Sequence, residues 1–207
     1  MLLPYPSTMT PTLILASSSP RRRELVASLG IDFTILKPDI DESQHAGEAP
    51  LDYVRRLSRE KAATVAVQAT YDTTVLAADT VVILAADTMG IAEDGEILGK
   101  PANPDEARAM LRRLRGRPHI VCTAITMMRV GKFGGVTELV QTTVHMRDYS
   151  DAEIDAYVAT GDPFDKAGGY AIQHGDFHPV ERIDACYNNV VGLPLCAGKR
   201  ALAPRGG

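Results

Sequence analysis

The stretch Leu13-Ile14-Leu15-Ala16-Ser17-Ser18-Ser19-Pro20-Arg21-Arg22-Arg23 decides the fold class. Leu13 to Ala16 is a short apolar run bounded by small residues, the pattern of a buried strand. Ser19 is a good helix N-cap and Pro20 a good first helical residue. Leu25, Val26 and Leu29 mark one helix face, and Gly30 closes it. A buried strand running straight into a helix is the unit from which α/β sheets are built.

The rest of the chain repeats the alternation. A helix is expected from about Pro50 to Ala69, with Val54, Leu57 and Val65 near one stripe and Lys61 on it. Val75 to Ala78 and Val81 to Ala86 read as strands. Asn103-Pro104-Asp105-Glu106 starts a helix by cap, proline and acids at the positive end. Gly116 stops it. Ile120 to Val130 and Val136 to Arg147 read as two strands joined by a glycine-rich turn. Ser150-Asp151-Ala152-Glu153 is a capping box for a helix ending at Gly161. Gly169 to Gln173 and Val180 to Ile183 read as late strands. Helices and strands alternate and a hairpin interrupts them, which predicts an α/β fold with a mixed, twisted sheet and flanking helices.

The chain has 207 residues, a length for one domain, or one domain with two lobes around a cleft. Its net charge of −4 supplies no global basic field, which argues against a nucleic-acid scaffold. Cys122, Cys186 and Cys196 are odd in number and lack CxxC spacing, so a reducing cytoplasm is the simpler reading. No apolar run approaches the roughly 20 residues of a membrane span. Residues 1–11 carry three prolines and no basic region, and read as a loose tail rather than a signal peptide. The histidines have no metal-ligand spacing and read as surface or structural.

Four groups of residues carry candidate chemistry. The Ser17–Arg23 turn delivers backbone N–H groups and arginines to a helix N-terminus, which suits phosphate oxygens; a solvated basic first turn fits the same letters. Lys61 is either a lysine snorkelling off an apolar stripe or a phosphate-binding ammonium at a cleft. Asp79, set between Leu76-Ala77-Ala78 and Val81-Val82, is either a strand-end aspartate or a carboxylate that is paired or metal-bound. Asp39, Asp41 and Glu42 make a loop that is most simply solvated, yet with Asp79 it offers oxygen ligands to Mg²⁺. Leu76-Ala77-Ala78-Asp79-Thr80 recurs as Leu84-Ala85-Ala86-Asp87-Thr88.

The order SxSPRR (17–22), DE (41–42), REKA (59–62), ADT (78–80), GKP (99–101), DKAGxYxIQ (165–173) and VGLPL (191–195) closely resembles the Maf family. The resemblance covers about Leu13 to Leu195, and implies one Maf-like pyrophosphatase domain over residues 12–203. It implies an α/β fold similar to the inosine triphosphate pyrophosphatases. It also implies a metal-dependent nucleotide pyrophosphatase using Mg²⁺ or Mn²⁺, with a tendency to form homodimers. Carried over by motif, Arg21 and Arg22 resemble the phosphate-side arginines, with Ser17 in the same turn. Lys61, Lys100 and Lys166 resemble the cleft lysines. Glu42 resembles the metal-assisting acid, and Asp79 the general base and second metal ligand. Arg21, Thr80 and Gln173 resemble the residues tied to substrate choice, in the form of the dTTP/UTP branch. The distance from Lys61 favours Asp79 as the base, while Asp87 lies closer to Lys100. Ala185-Cys186-Tyr187 stands where the family usually has Gly-Ser-Tyr. The competing reading is a nucleotide-binding regulator of septum formation and cell division that does not turn substrate over.

Overall fold

The computed structural model describes residues 12–72, 81–130, 135–195 and 197. The expected tail (1–11), the expected strand Val75–Ala78, and Asp79, Thr80 and Cys196 lie outside them. In chain order the elements are β1 (Thr12–Ala16), α1 (Pro20–Ala27), β2 (Phe33–Ile35), α2 (Pro50–Asp72), β3 (Val81–Ile91), β4 (Ile97–Leu98) and α3 (Pro104–Leu114). There follow β5 (Pro118–Arg129), β6 (Gly135–Met146), α4 (Asp151–Ala159), two 3₁₀ turns (Asp162–Asp165 and Ala167–Gly169), β7 (Val180–Asp184) and α5 (Tyr187–Val191).

The strands form one mixed sheet of order β2-β1-β3-β5-β6-β7, with β4 paired to the far part of β3. β1 pairs in parallel with both β2 and β3, and the other pairings are antiparallel. The two faces of β1 are covered by different helices. Ile14 and Ala16 pack with Ala62, Val65 and Ala69 of α2. Leu13 and Leu15 pack with Val26 of α1 and with Leu193. Consecutive strand residues point to opposite faces, so α1 and α2 lie on opposite sides of the sheet. From β1 the chain passes through α1 to β2 on one side, and from β2 it crosses back through α2 to β3 on the other. A crevice opens at such a switch point, outside the carboxyl ends of the parallel strands.

The helix starts follow local rules. The Ser19 side chain accepts from Arg22 N at 3.4 Å, and the Asn103 side chain from Glu106 N at 2.9 Å. Ser150 and Glu153 form both halves of a capping box. Gly116 takes φ +65, the left-handed turn that ends α3. One expected strand does not form: Gly169 closes a 3₁₀ turn, and Ile172-Gln173 lies in a turn. Gly168 and Gly169 both take positive φ (+79 and +67), which breaks an extended ladder before it can start.

Candidate active site

β1 ends at Ala16, paired with Ala85, but β3 continues to Ile91. Asp87 and Thr88 are therefore among the first β3 residues past the parallel pairing, at the mouth of the crevice. Alternation sends them to opposite faces. Asp87 faces α2, where Lys61 Nζ donates to its Oδ1 at 2.5 Å. Thr88 faces α1, where its hydroxyl accepts from Arg22 Nη2 at 3.0 Å and lies 2.9 Å from Thr123 Oγ1.

Lys61 does not snorkel to solvent. It is 6% exposed, Asp87 is 8% exposed, and the ammonium also bridges to Glu42 Oε1 at 2.9 Å. A buried ammonium is costly unless it is paired, and here two carboxylates flank it. Tyr53 Oη donates to the Glu42 carbonyl at 2.7 Å and so fixes that loop to α2. Burial, with Asp87 and Glu42 nearby, pushes the Tyr53 phenol up from its ordinary pKa, so it stays a donor. Asp39 and Asp41 are exposed, and Asp41 caps Ser43 N within its own loop at 2.8 Å.

Arg22 is held from within the protein. Its Nε donates to the Gly192 carbonyl at 2.9 Å, Nη1 to Ser17 Oγ at 3.4 Å, and Nη2 to Thr88. It thereby ties the turn after β1, the middle of β3 and the Gly192 turn together. Burial pushes its pKa down from the ordinary value. Lys166 is likewise occupied: its Nζ reaches the Asp162 carbonyl at 2.7 Å, Asp162 Oδ1 at 2.9 Å and Asp165 Oδ1 at 2.5 Å. Arg21 and Lys100 make no hydrogen bond or ion pair with the described residues.

Ser17, Arg21, Arg22, Glu42, Tyr53, Lys61, Asp87, Thr88, Lys100 and Lys166 line one cleft of about 650 Å³. Its polar wall includes Ser17–Arg22, Lys37, Glu42, Lys61, Asp87 and Lys100, and its apolar wall includes Leu98, Val121, Tyr170, Ile172 and Val190. Gln173 lines the same cleft from its turn. The sequence-expected set Ser17, Arg21, Arg22, Glu42, Lys61, Lys100, Lys166 and Gln173 thus converges on one cavity. Asp79 and Thr80 lie outside the described residues, whereas Asp87 and Thr88, from the second Leu-Ala-Ala-Asp-Thr, stand inside the cavity. The spacing to Lys100 was the sequence signal for this second copy. The sequence did not single out the Gly192 carbonyl, Tyr53 or His119. His119 is 1% exposed, lines the cleft beside Tyr170, and has its Nε2 2.8 Å from Tyr170 Oη.

Ala185 takes φ +117, a region that favours glycine. Cys186 occupies the N-cap of α5, where its carbonyl accepts from Asn189 N at 3.1 Å and from Thr142 Oγ1 at 3.3 Å.

Such an assembly is an α/β protein with a cleft lined by lysines and arginines and a buried lysine–carboxylate centre. The sequence matches the family described as "Maf-like protein" over residues 12–204, and the chain belongs to that family. The dTTP/UTP pyrophosphatase of Anaeromyxobacter dehalogenans is 48% identical over 201 residues, spanning 96% of each chain. The dTTP/UTP pyrophosphatase of Geotalea uraniireducens is 44% identical, spanning 94% of this chain and 95% of the relative. The Ham1 protein of Staphylococcus aureus, a solved structure, is 14% identical with TM-score 0.39 over 66% of this chain and 72% of that one. No helix among the described residues is long and apolar enough to cross a membrane.

Proposed function

We propose that this chain is a nucleoside triphosphate pyrophosphatase that converts dTTP and UTP to the monophosphate and pyrophosphate, with Asp87 as the base. The observation that carries this reading is the Asp87–Lys61–Glu42 centre at the mouth of a cleft whose opposite rim is the N-terminus of α1 with Arg21. Water attacks the α-phosphorus, Asp87 takes its proton, and pyrophosphate leaves. Positioning and charge neutralisation do most of the work in such a transfer. The names of the relatives supply the substrate pair.

Glu42 and Asp87 flank a single ammonium, so they are close enough to share a cation. No cluster of three or more His, Cys, Asp or Glu side chains gathers at one point among the described residues. Mg²⁺ or Mn²⁺ fits this donor set, because such ions keep waters and need one or two carboxylates plus substrate phosphates. Bound there, the cation would neutralise phosphate charge.

Arg22 acts here as a strut, and Thr88 and Ser17 are the groups it fixes. Arg21 is the arginine available to phosphate. Gln173 presents a donor and an acceptor that match the O4 and N3–H edge of uracil or thymine. Its place on a turn makes that match depend on how the turn is held. A base at the cleft mouth favours turnover over mere binding.

Asp87→Asn tests the reading, with product analysis on UTP and Mg²⁺. We expect kcat to fall at least about 10²-fold, the scale for a positioned acid–base group, with UMP and pyrophosphate as wild-type products. Full activity in Asp87→Asn would remove Asp87 from the role. Release of orthophosphate and UDP would mean attack at the γ-phosphorus.

A further inference from the structure

We propose that Lys37 is a further substrate-binding residue, which holds the terminal phosphates of the triphosphate, the part that leaves as pyrophosphate. The inference rests on the pyrophosphatase reading for which phosphorus is attacked. Lys37 belongs to none of the sequence motifs. Its place follows from the sheet. Leu36 N donates to the Leu15 carbonyl at 3.1 Å, so the parallel β1–β2 pairing continues up to the residue before Lys37. Lys37 therefore leaves the sheet at the same end as the Ser17 turn, and it lines the cleft. Pro38 follows, which biases Lys37 towards extended backbone and stiffens its exit from the strand.

The distribution of cations gives the second argument. Lys61 lies between Glu42 and Asp87. Lys166 makes three contacts, matching the three donors of an ammonium. Arg22 is directed to Gly192, Ser17 and Thr88. Arg21, Lys37 and Lys100 are the cleft-lining cations that make no hydrogen bond or ion pair with the described residues. A heavily charged triphosphate entering the cleft meets these three as open partners, without breaking an internal bond.

Strand order then places Lys37. Asp87 on β3 marks the phosphorus attacked. β1 lies between β3 and β2, and adjacent strands are about 4.8 Å apart, so β2 lies roughly 10 Å from β3. A polyphosphate running from Asp87 across the N-terminus of α1 points its far end at β2, where Lys37 stands.

Isothermal titration with inorganic tripolyphosphate in Mg²⁺ buffer tests this without turnover, using wild type, Lys37→Ala, Lys37→Glu and Lys37→Arg. We expect Kd to weaken about fivefold to tenfold in Lys37→Ala and further in Lys37→Glu, with Lys37→Arg within about twofold of wild type. UMP, which lacks the terminal phosphates, should bind all four proteins alike. With UTP the same factor should appear in KM, and kcat should move by less than about twofold, the mark of an interaction equal in ground and transition states. The difference should shrink at about 0.5 M salt, because the group is exposed. Unchanged tripolyphosphate affinity in Lys37→Glu would overturn the assignment, and so would an equal loss for UMP and tripolyphosphate. If wild type binds tripolyphosphate but leaves UTP intact, the pyrophosphatase reading fails, and the Kd series still decides the role of Lys37.

Discussion

The turn after β1 and the segment Lys166–Gln173 face each other across the cleft, and they are held in different ways. The first is local. Ser19 caps α1 from three residues away, Ser17 Oγ accepts from Ser19 N at 3.2 Å, and Pro20 sets the first helical φ. The second has no ladder. Gly168 N donates to the Gly99 carbonyl at 2.9 Å, Ala171 N to Tyr157 Oη at 3.0 Å, and Tyr170 Oη pairs with His119 Nε2. Tyr157 Oη in turn donates to Asp162 Oδ2 at 2.7 Å, so one phenol joins the backbone at Ala171 to the acid that holds Lys166. A site can thus carry one wall built from its own sequence neighbours and another hung on side chains from distant strands and helices. The second wall should be the more sensitive to changes made elsewhere.

The largest expected effect on this contrast is a pH effect at His119. Burial first, and then the nearby His145, push its pKa from 6.5 down to about 4. Between those values the unfolded chain binds a proton that the folded chain does not. Stability is therefore whole above pH 6.5 and falls as pH drops towards 4, by about 3 kcal/mol. Denaturant melts of wild type and His119→Gln at pH 7 and pH 4.5 check this, and the variant should lose much less over the interval. The depressed carboxylates Glu48, Glu153 and Asp184, each near 2, lose their contribution mainly as pH falls below about 4.5, so they leave this window to His119. Equal slopes in both proteins would assign the acid sensitivity to another group.

Tyr157→Phe is the next test. It removes the phenol that accepts from Ala171 N and donates to Asp162, leaving half-buried groups without a partner, at a cost of about 1–3 kcal/mol. UTP over CTP discrimination should fall as well, since the turn carrying Gln173 loses its anchor. A thermal melt with both kcat/KM values decides it; a loss of stability with discrimination intact would detach Gln173 from the Tyr157 anchor.

Ser19→Ala should have the smallest effect, about 1 kcal/mol for a lost N-cap. Discrimination between UTP and CTP should stay as in wild type, because the local turn does not hold Gln173. Should Ser19→Ala disturb base choice as much as Tyr157→Phe, the two walls are not independent.

The motif resemblance named eight residues of the cleft, and the sequence by itself determined the helix starts at Ser19, Asn103 and Ser150 and the strand–turn–helix at Leu13–Ala27. Those features depend on neighbours within about four residues, whose side chains meet the backbone groups they cap. Sequence favoured Asp79 over Asp87 only by its distance from Lys61, because Leu-Ala-Ala precedes both and Thr follows both. The β1–β3 register, Ala16 with Ala85, is what carries Asp87 past the end of β1 and opposite Lys61. The sequence could not tell that Lys61 turns inward, that Arg22 is directed to Gly192 and Thr88, or that Gly169–Gln173 forms turns instead of a strand. Those outcomes depend on partners 19 and 26 residues away for Lys61, and 66 and 170 residues away for Arg22. For Gln173's segment they depend on backbone donors satisfied by Gly99 and Tyr157 rather than by a sheet edge. Only the tertiary structure decides such matters, because a buried charge or an unpaired N–H takes its conformation from whichever distant group can satisfy it.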